Sequence, residues 1–294
     1  MVQILVSGGE NDPNIACILR RMTERNVPHR LIAGRKGRFP RFVWSLAEDR
    51  LLIDGAEVRP SGLFIRFDVF GDPGERRAPA RDLATSWYYA MLSWALAHPE
   101  VAFLNRAYGT FHAAKPYVLD QARRAGLTVA DTLIANDLAA LDGLAADDWI
   151  VKPVDGGAHT LTLRMACSER SRLERLAIEP VFLQRRLVPP DLRIFRVGAA
   201  WFAFELRGHD VDYRAAARVE IEPVAASEEL TRPLATLMDG LGIDFGAADF
   251  KRSVDSGRFA FLEINSAPMF AAFDLRISGA LCDAIIDRLS APGR

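Results

Sequence analysis

The stretch Gly246–Asp274, GAADFKRSVDSGRFAFLEINSAPMFAAFD, decides how the chain is read. Two β-prone runs, Gly246–Lys251 and Arg258–Ile264, flank Ser253-Val254-Asp255-Ser256-Gly257. An Asp-Ser-Gly turn between such runs predicts a hairpin. Side chains alternate across a strand, so Glu263 and Asn265 share a face. With Arg252 opposite Arg258, Asp249 falls opposite Phe261 and one diagonal step from Glu263, about 7 Å along the backbone. Two carboxylates and an amide oxygen on one face make a hard-oxygen site. Mg²⁺ takes such oxygens and completes its shell with waters and substrate phosphates. A solvated polar hairpin face is the plainer alternative. It accounts poorly for an acid among Phe261, Leu262 and Ile264, whose side chains favour burial.

The rest of the composition narrows the classes. The chain has 294 residues, 50% hydrophobic and 26% charged, which suits a globular protein of two or three lobes. A formal net charge of -1 gives no bulk pull toward nucleic acid. The 3 cysteines, Cys17, Cys167 and Cys282, match no zinc spacing, and their odd number favours reduced thiols. MVQILVSGG reads as an apolar strand without the basic start and long apolar core of a secretion signal. No apolar run approaches the roughly 20 residues of a membrane helix. The expectation is a cytoplasmic protein with no nucleic-acid or membrane partner.

Along the chain, Gln3–Val6, the helical pattern of Asn14–Asn26 and the strand Pro28–Ala33 predict a βαβ opening. Ser7-Gly8-Gly9 lacks the full dinucleotide fingerprint and reads as a tight strand–helix turn. Arg41–Glu57 reads as strands around Asp54-Gly55. Leu63–Phe67 is a strand carrying Arg66, which is either a solvated strand-end charge or a group meeting an anionic substrate. Phe70–Ala80 is a Gly/Pro/Arg loop. Ala84–Ala97 is a helix with Trp87, Met91, Trp94 and Ala95 at core spacing. A helix is expected over Phe111–Ala125, ended by Gly126. Pro116 disfavours helical geometry at Lys115, which allows the helix to begin at the proline instead.

Trp149–Pro153 delivers Lys152 at the end of an apolar strand, followed by Val154–Thr160 with Gly156 and Gly157. Loop N–H groups and an ammonium together make a phosphate cradle, and glycines let the backbone come close. His159 in that loop reads as a bystander. Val181–Val188 runs as a strand into a segment between lobes. Arg193, flanked by apolar residues, is costly to bury without an anion, and its fork suits phosphate or carboxylate.

Taken in order, these motifs resemble the ATP-grasp superfamily. They are most similar to its RimK-like branch, which includes the ligases that crosslink graspetide (microviridin-type) peptides. The resemblance covers the chain from Asn105 to the end and is carried by Lys115, Lys152-Pro153 with its glycine loop, Gln184, Asp191-x-Arg193, Asp212-Tyr213-Arg214, Asp249 and Glu263-x-Asn265. It implies an α/β fold of α+β lobes: an amino-terminal βαβ domain over 1–104, a central lobe over 105–180 and a carboxyl-terminal lobe over 181–294. It further implies that Lys115 meets the α-phosphate, and that Lys152 with Gly156 and Gly157 covers the β- and γ-phosphates. Gln184, Arg185 and Leu187 would surround the base, and Asp191 would meet the ribose. Arg193 and Arg214 would serve the transferring group, and Asp249, Glu263 and Asn265 the metal. The implied cofactors are ATP and Mg²⁺, as two ions, with Mn²⁺ as a substitute. The implied activity is an ADP-forming carboxylate–amine ligase that passes through an acyl phosphate on a peptide or small-molecule (amino-acid) substrate, and relatives of this kind suggest a homodimer. Arg185 stands where the family often has an acid. Ala215-Ala216-Ala217 stands where RimK-type enzymes tend to have an asparagine. Two other readings stay open on sequence: a kinase acting on a hydroxyl, and a non-catalytic ATP-binding module.

Overall fold

A computed structural model of the protein describes residues 4–33, 39–68, 78–107, 114–154, 161–168, 178–207 and 220–291. The chain enters through β1 (Ile4–Ser7), buried along its whole length. Helix α1 (Pro13–Glu24) starts where it does because Asp12 accepts the Asn14 N–H at 2.8 Å and Pro13 opens the first turn. Its residues Ile15, Ile18 and Met22 recur at helical spacing on the buried side. Strand β2 (His29–Ile32) lies parallel to β1. A small antiparallel flap of β3 (Phe42–Ser45), β4 (Arg50–Ile53) and β5 (Ala56–Glu57) turns through Asp54 and Gly55, both at positive φ. Strand β6 (Gly62–Ile65), helix α2 (Ala78–Ala97) and strand β7 (Ala102–Phe103) complete a four-stranded parallel sheet of order β2-β1-β6-β7. The βαβ reading holds.

Helix α3 (Lys115–Arg124) starts at Lys115, not at Phe111: Ala114 is extended and caps it. Pro116, which has no N–H, sits in the first turn where no helical partner exists for one. Gly126 at φ +95 stops the helix, as expected. Strands β8 (Thr132–Ala135), β9 (Trp149–Pro153) and β10 (Leu161–Thr162), helix α4 (Leu163–Cys167) and strand β11 (Val181–Arg185) follow. The strands form an antiparallel sheet of order β10-β9-β11-β8. Past Arg186 the chain passes into the next sheet. That sheet contains β12 (Leu187–Val197), β13 (Ala200–Arg207), β14 (Glu220–Val224), β15 (Phe245–Ser253) and β16 (Phe259–Asn265) in the order β14-β13-β12-β15-β16. Helix α5 (Glu228–Gly240) precedes β15, and α6 (Ala271–Asp274) and α7 (Ala280–Ser290) close the chain.

Period-two alternation in β12 and β15 gives this five-stranded sheet two unlike faces. Leu192, Ile194, Ala248 and Phe250 pack in one core with Leu234 and Leu237 of α5 and Leu119 of α3. On the opposite face, Phe195, Val197 and Ala247 join a core shared with α1, α7 and the amino-terminal sheet. The same face continues as Asp191, Arg193, Asp249 and Lys251, and there it builds the site. Helix α7 packs on β6 so closely that a Cβ on Gly62 would clash with the Leu289 carbonyl oxygen. Cys17 and Cys282, remote in sequence, meet at 3.5 Å as free thiols. Among the described residues no helix is long and apolar enough to cross a membrane.

Candidate nucleotide and metal site

The β15–β16 hairpin forms, with a register that differs from the sequence expectation. Arg252 faces Phe259, Phe250 faces Phe261, and Asp249 lies directly opposite Glu263. The correction has a local cause: a β-bulge between Asp249 and Phe250 leaves Leu262 as the extra residue of β16. Without the bulge, the Phe250–Phe261 register would carry Glu263 to the core face with Ala248. The bulge keeps Phe261 in that core and turns Glu263 and Asn265 to the Asp249 side. The three oxygen-bearing side chains therefore share a face, with the two carboxylates one cross-strand step apart rather than one diagonal. The Asn265 amide Nδ2 lies 3.4 Å from Asp249 Oδ2.

Basic groups surround this cluster. Lys115, at the start of α3, places its ammonium 2.9 Å from Glu263 Oε2. Arg193 on β12 pairs with Asp249 across the ladder and forks onto it, Nε to Oδ1 at 2.6 Å and Nη2 to Oδ2 at 2.7 Å. Its guanidinium also sits 5.3 Å from the Phe273 ring centre. The anion that accompanies the buried Arg193 is thus one of the three oxygen-bearing residues of the candidate metal site. In this structure Asp249, rather than a substrate group, is the anion that meets the Arg193 fork. A carboxylate has about four lone-pair directions, and the fork takes two, so Asp249 keeps acceptor capacity. Two pairs along the ladder, on the same face, Asp191 meets Lys251 at 3.4 Å. The residue expected at the ribose is held by a buried lysine that the sequence reading passed over.

The opposite wall is the sheet of β9 and β11. Lys152 faces Phe182 across these strands, which makes Gln184 its diagonal neighbour. Lys152 Nζ donates to Gln184 Oε1 at 2.9 Å, and Gln184 Nε2 donates to Thr132 Oγ1 at 2.9 Å. The Gln184 side chain is therefore spent on holding Lys152, while the sequence reading gave the residue only to the base. Burial pushes the Lys152 ammonium down to about 8. Glu263 draws it up and Lys115 pushes it further down, so Lys152 sits within electrostatic reach of both. Arg185 and Arg186 give their N–H groups to the carbonyls of Asp131 and Asp148, at 2.8 and 2.7 Å. The Arg185 side chain spans Asp148 and Asp255. Both amide N–H groups are therefore engaged within the protein, so a contact of Arg185 with a base edge would fall to its carbonyl. Arg66 is a further correction. It is neither solvated nor facing a substrate, being 6% exposed and bound to Asp12 at 2.7 Å. Gly156, Gly157, His159 and Asp212-Tyr213-Arg214 lie outside the described residues, as do residues 70–77 of the Phe70–Ala80 loop.

The structure thus brings together Lys115, Lys152, Gln184, Arg193, Asp249, Glu263 and Asn265 from helix α3 and from strands of two sheets. The donor set suits Mg²⁺: two carboxylates and an amide oxygen are hard ligands, and few protein oxygens are needed when phosphates and waters supply the rest. Neither a family model nor a curated protein matches the chain. Solved structures do match it. The ATP-grasp ligase PsnB complexed with a minimal precursor aligns at TM-score 0.79 and 25% identity, over 98% of this chain and 99% of that one. The chain has the ATP-grasp fold. PsnB has also been solved with a phosphomimetic variant of that precursor, Mg and ADP, at TM-score 0.79 and 25% identity, over 97% and 98% of the two chains. The macrocyclase MdnC from Microcystis aeruginosa MRC, bound with precursor peptide MdnA, shares the fold at TM-score 0.73 and 18% identity, over 98% and 99%. So does the VanG D-Ala:D-Ser ligase from Enterococcus faecalis, at 0.61 and 14%, over 98% and 99%. By fold and by likeness to PsnB, the chain is an ATP-grasp ligase.

Proposed function

We propose that the chain is an ATP-dependent carboxylate–amine ligase that acts on a peptide through an acyl phosphate. The observation that carries this reading is the facing of Lys115 and Lys152 against Asp249, Glu263 and Asn265 in a chain that aligns end to end with PsnB. In this reading Lys115 and Lys152 bind the phosphate oxygens as point charges. Gln184 and Thr132 orient the Lys152 ammonium with neutral partners, so its charge stays available to the ligand. Asp249, Glu263 and Asn265 would hold Mg²⁺, which when bound offsets the negative charge of the triphosphate. Arg193 fixes Asp249 in one rotamer. A substrate carboxylate oxygen attacks the γ-phosphorus and ADP leaves. An amine nitrogen then attacks the acyl carbon, the amide forms and phosphate leaves. Exclusion of water preserves the acyl phosphate between the steps. The glycine loop at 154–160 is the proposed cover, and Arg214 the proposed partner of the transferring group.

Peptide substrates are supported by the precursor complexes of PsnB and MdnC, and the proposed substrate carboxylate belongs to an acidic side chain of such a peptide. A homodimer in the cytoplasm remains part of the proposal, and sedimentation of the purified chain checks its oligomeric half. The activity is tested by ADP release with a precursor-type peptide, with and without hydroxylamine. A peptide hydroxamate is the expected product, because hydroxylamine intercepts the activated acyl group. A stable phosphopeptide with no hydroxamate would assign a kinase instead. Nucleotide binding without peptide-dependent ADP release would assign a binding module.

A further inference from the structure

The segment that follows Asn265 is anchored by side chains from outside its own sheet. Asn265 is the last residue of β16, which lies at the edge of the five-stranded sheet, and its ladder partner is Ala247. Strand ends fray unless the next residues are tied down. Here Asn105 Nδ2 donates to the Ser266 carbonyl at 2.7 Å and to the Phe245 carbonyl at 2.7 Å. Asn105 Oδ1 accepts the N–H groups of Asp244 and Phe245 at 3.0 and 2.8 Å. One amide thus clips the residue after Asn265 to the start of β15.

A few residues on, Arg66 Nη1 donates to the Pro268 carbonyl at 2.9 Å while its Nε holds Asp12. Asn14 Oδ1 accepts the N–H groups of Phe270 and Ala271 at 2.7 and 2.9 Å. Asn14 Nδ2 donates to Asp12 Oδ1 at 2.6 Å, closing the network. Asp12, Asn14, Arg66 and Asn105 are all buried. Just before these anchors, the backbone of Asn265 is packed so tightly that a Cβ on Gly246 would lie 2.9 Å from its carbonyl oxygen.

We propose that Asn105, Arg66 and Asn14 are positioning residues for the metal site, fixing the strand end that presents the Asn265 amide beside Asp249 and Glu263. The proposal rests on the metal reading of those three residues. In effect the amino-terminal domain, through Asn14 and Arg66, supports the oxygen site of the carboxyl-terminal lobe. A purely architectural role would loosen the whole protein equally. A positioning role weakens the metal first, since supporting partners of metal ligands govern affinity by orienting them.

The test is Mn²⁺ titration of the full chain with ADP, followed by electron paramagnetic resonance, on wild type, Asn105→Asp and Arg66→Lys. Asn105→Asp keeps the acceptor for Asp244 and Phe245 but replaces the donor to Ser266 by an oxygen. Arg66→Lys keeps a charge beside Asp12 without the fork that reaches Pro268. Both variants should bind Mn²⁺ about tenfold more weakly. Their ADP affinity in EDTA should be unchanged, and raised Mg²⁺ should restore turnover. Should Asn105→Asp fail to fold by circular dichroism, Arg66→Lys carries the comparison. Variants that bind Mn²⁺ like wild type overturn the positioning role alone. So do variants that lose ADP affinity in EDTA in parallel with the metal. Wild type that takes up no Mn²⁺ overturns the metal reading, and this one with it.

Discussion

Arg66 and Arg193 invite comparison. Arg193 lies on β12 and Arg66 directly follows β6, both among apolar neighbours, and both were candidates for meeting an anionic substrate. In the structure each is 6% exposed, and each is paired with an aspartate from another element, Asp12 or Asp249. Burying a guanidinium requires such a partner, so burial and pairing by themselves say nothing about function. The surroundings separate the two. Arg66 also donates to Pro268 and Met269, which makes it a joint between the end of β6 and the segment after β16. Arg193 forks onto a carboxylate that stands directly opposite Glu263 and beside Asn265. One arginine holds the frame of the site and the other holds one of its ligands.

The sharpest way to break the comparison is to remove each aspartate. Asp249→Asn and Asp12→Asn each strand a buried arginine, so each should lower the unfolding free energy by about 3–5 kcal/mol in urea melts. Turnover of the folded fraction should then diverge. Asp249→Asn should be inactive at any Mg²⁺ concentration, whereas Asp12→Asn should recover as Mg²⁺ is raised. Equal recovery of the two would erase the distinction.

Glu263→Gln should lower kcat by about 10²–10³, the scale of losing one charge-stabilising group in a preorganised site. Its melting temperature should barely move, because the Glu263–Lys115 pair is partly solvated and such pairs contribute about 1 kcal/mol or less. Unchanged kcat would remove Glu263 from the site. Lys152→Ala should weaken ATP binding by about 2 kcal/mol in calorimetry, the worth of a charged hydrogen bond. Equal affinity would remove Lys152.

The pH response is the smallest and most specific effect. Lys152 titrates near 8 in the folded chain against 10.5 as the ordinary value, because burial disfavours its charge. Between those values the unfolded chain holds more protons, so this group makes stability rise as pH climbs through the window. ATP affinity runs the other way and should fall above about pH 8 as the ammonium is lost. In Lys152→Ala both slopes should flatten, which pH-resolved melts and ATP titrations would show.

Much of the fold was legible in the sequence. Local signals were strong where an apolar run met a turn or a breaker. Examples are Asp54-Gly55 in the flap, Pro153 after Lys152, and Gly126 after α3. The hairpin and the shared face of Asp249, Glu263 and Asn265 were also readable, because alternation survives a two-residue error in register. The bulge at Leu262 was not, since it reflects how Phe261 is drawn into the core with Phe250. Partnerships across sheets were equally hidden. Gln184 meets Thr132 and Lys152 only because β11 lies between β8 and β9. Asp191 meets Lys251, and Arg193 meets Asp249, only through the pairing of β12 with β15. Nothing near Asn105 or Asn14 in sequence announces a role at Asn265, which lies 160 and 251 residues further along the chain.

The central claim is that one divalent cation is gripped where Asp249, Glu263 and Asn265 converge, across from Lys115 and Lys152. Anomalous scattering from crystals grown with Mn²⁺ and a non-hydrolysable ATP analogue tests it directly. The account predicts manganese within about 2.2 Å of oxygens of Asp249, Glu263 and Asn265. A peak bound elsewhere, with the triphosphate on another face of the sheet, would contradict it.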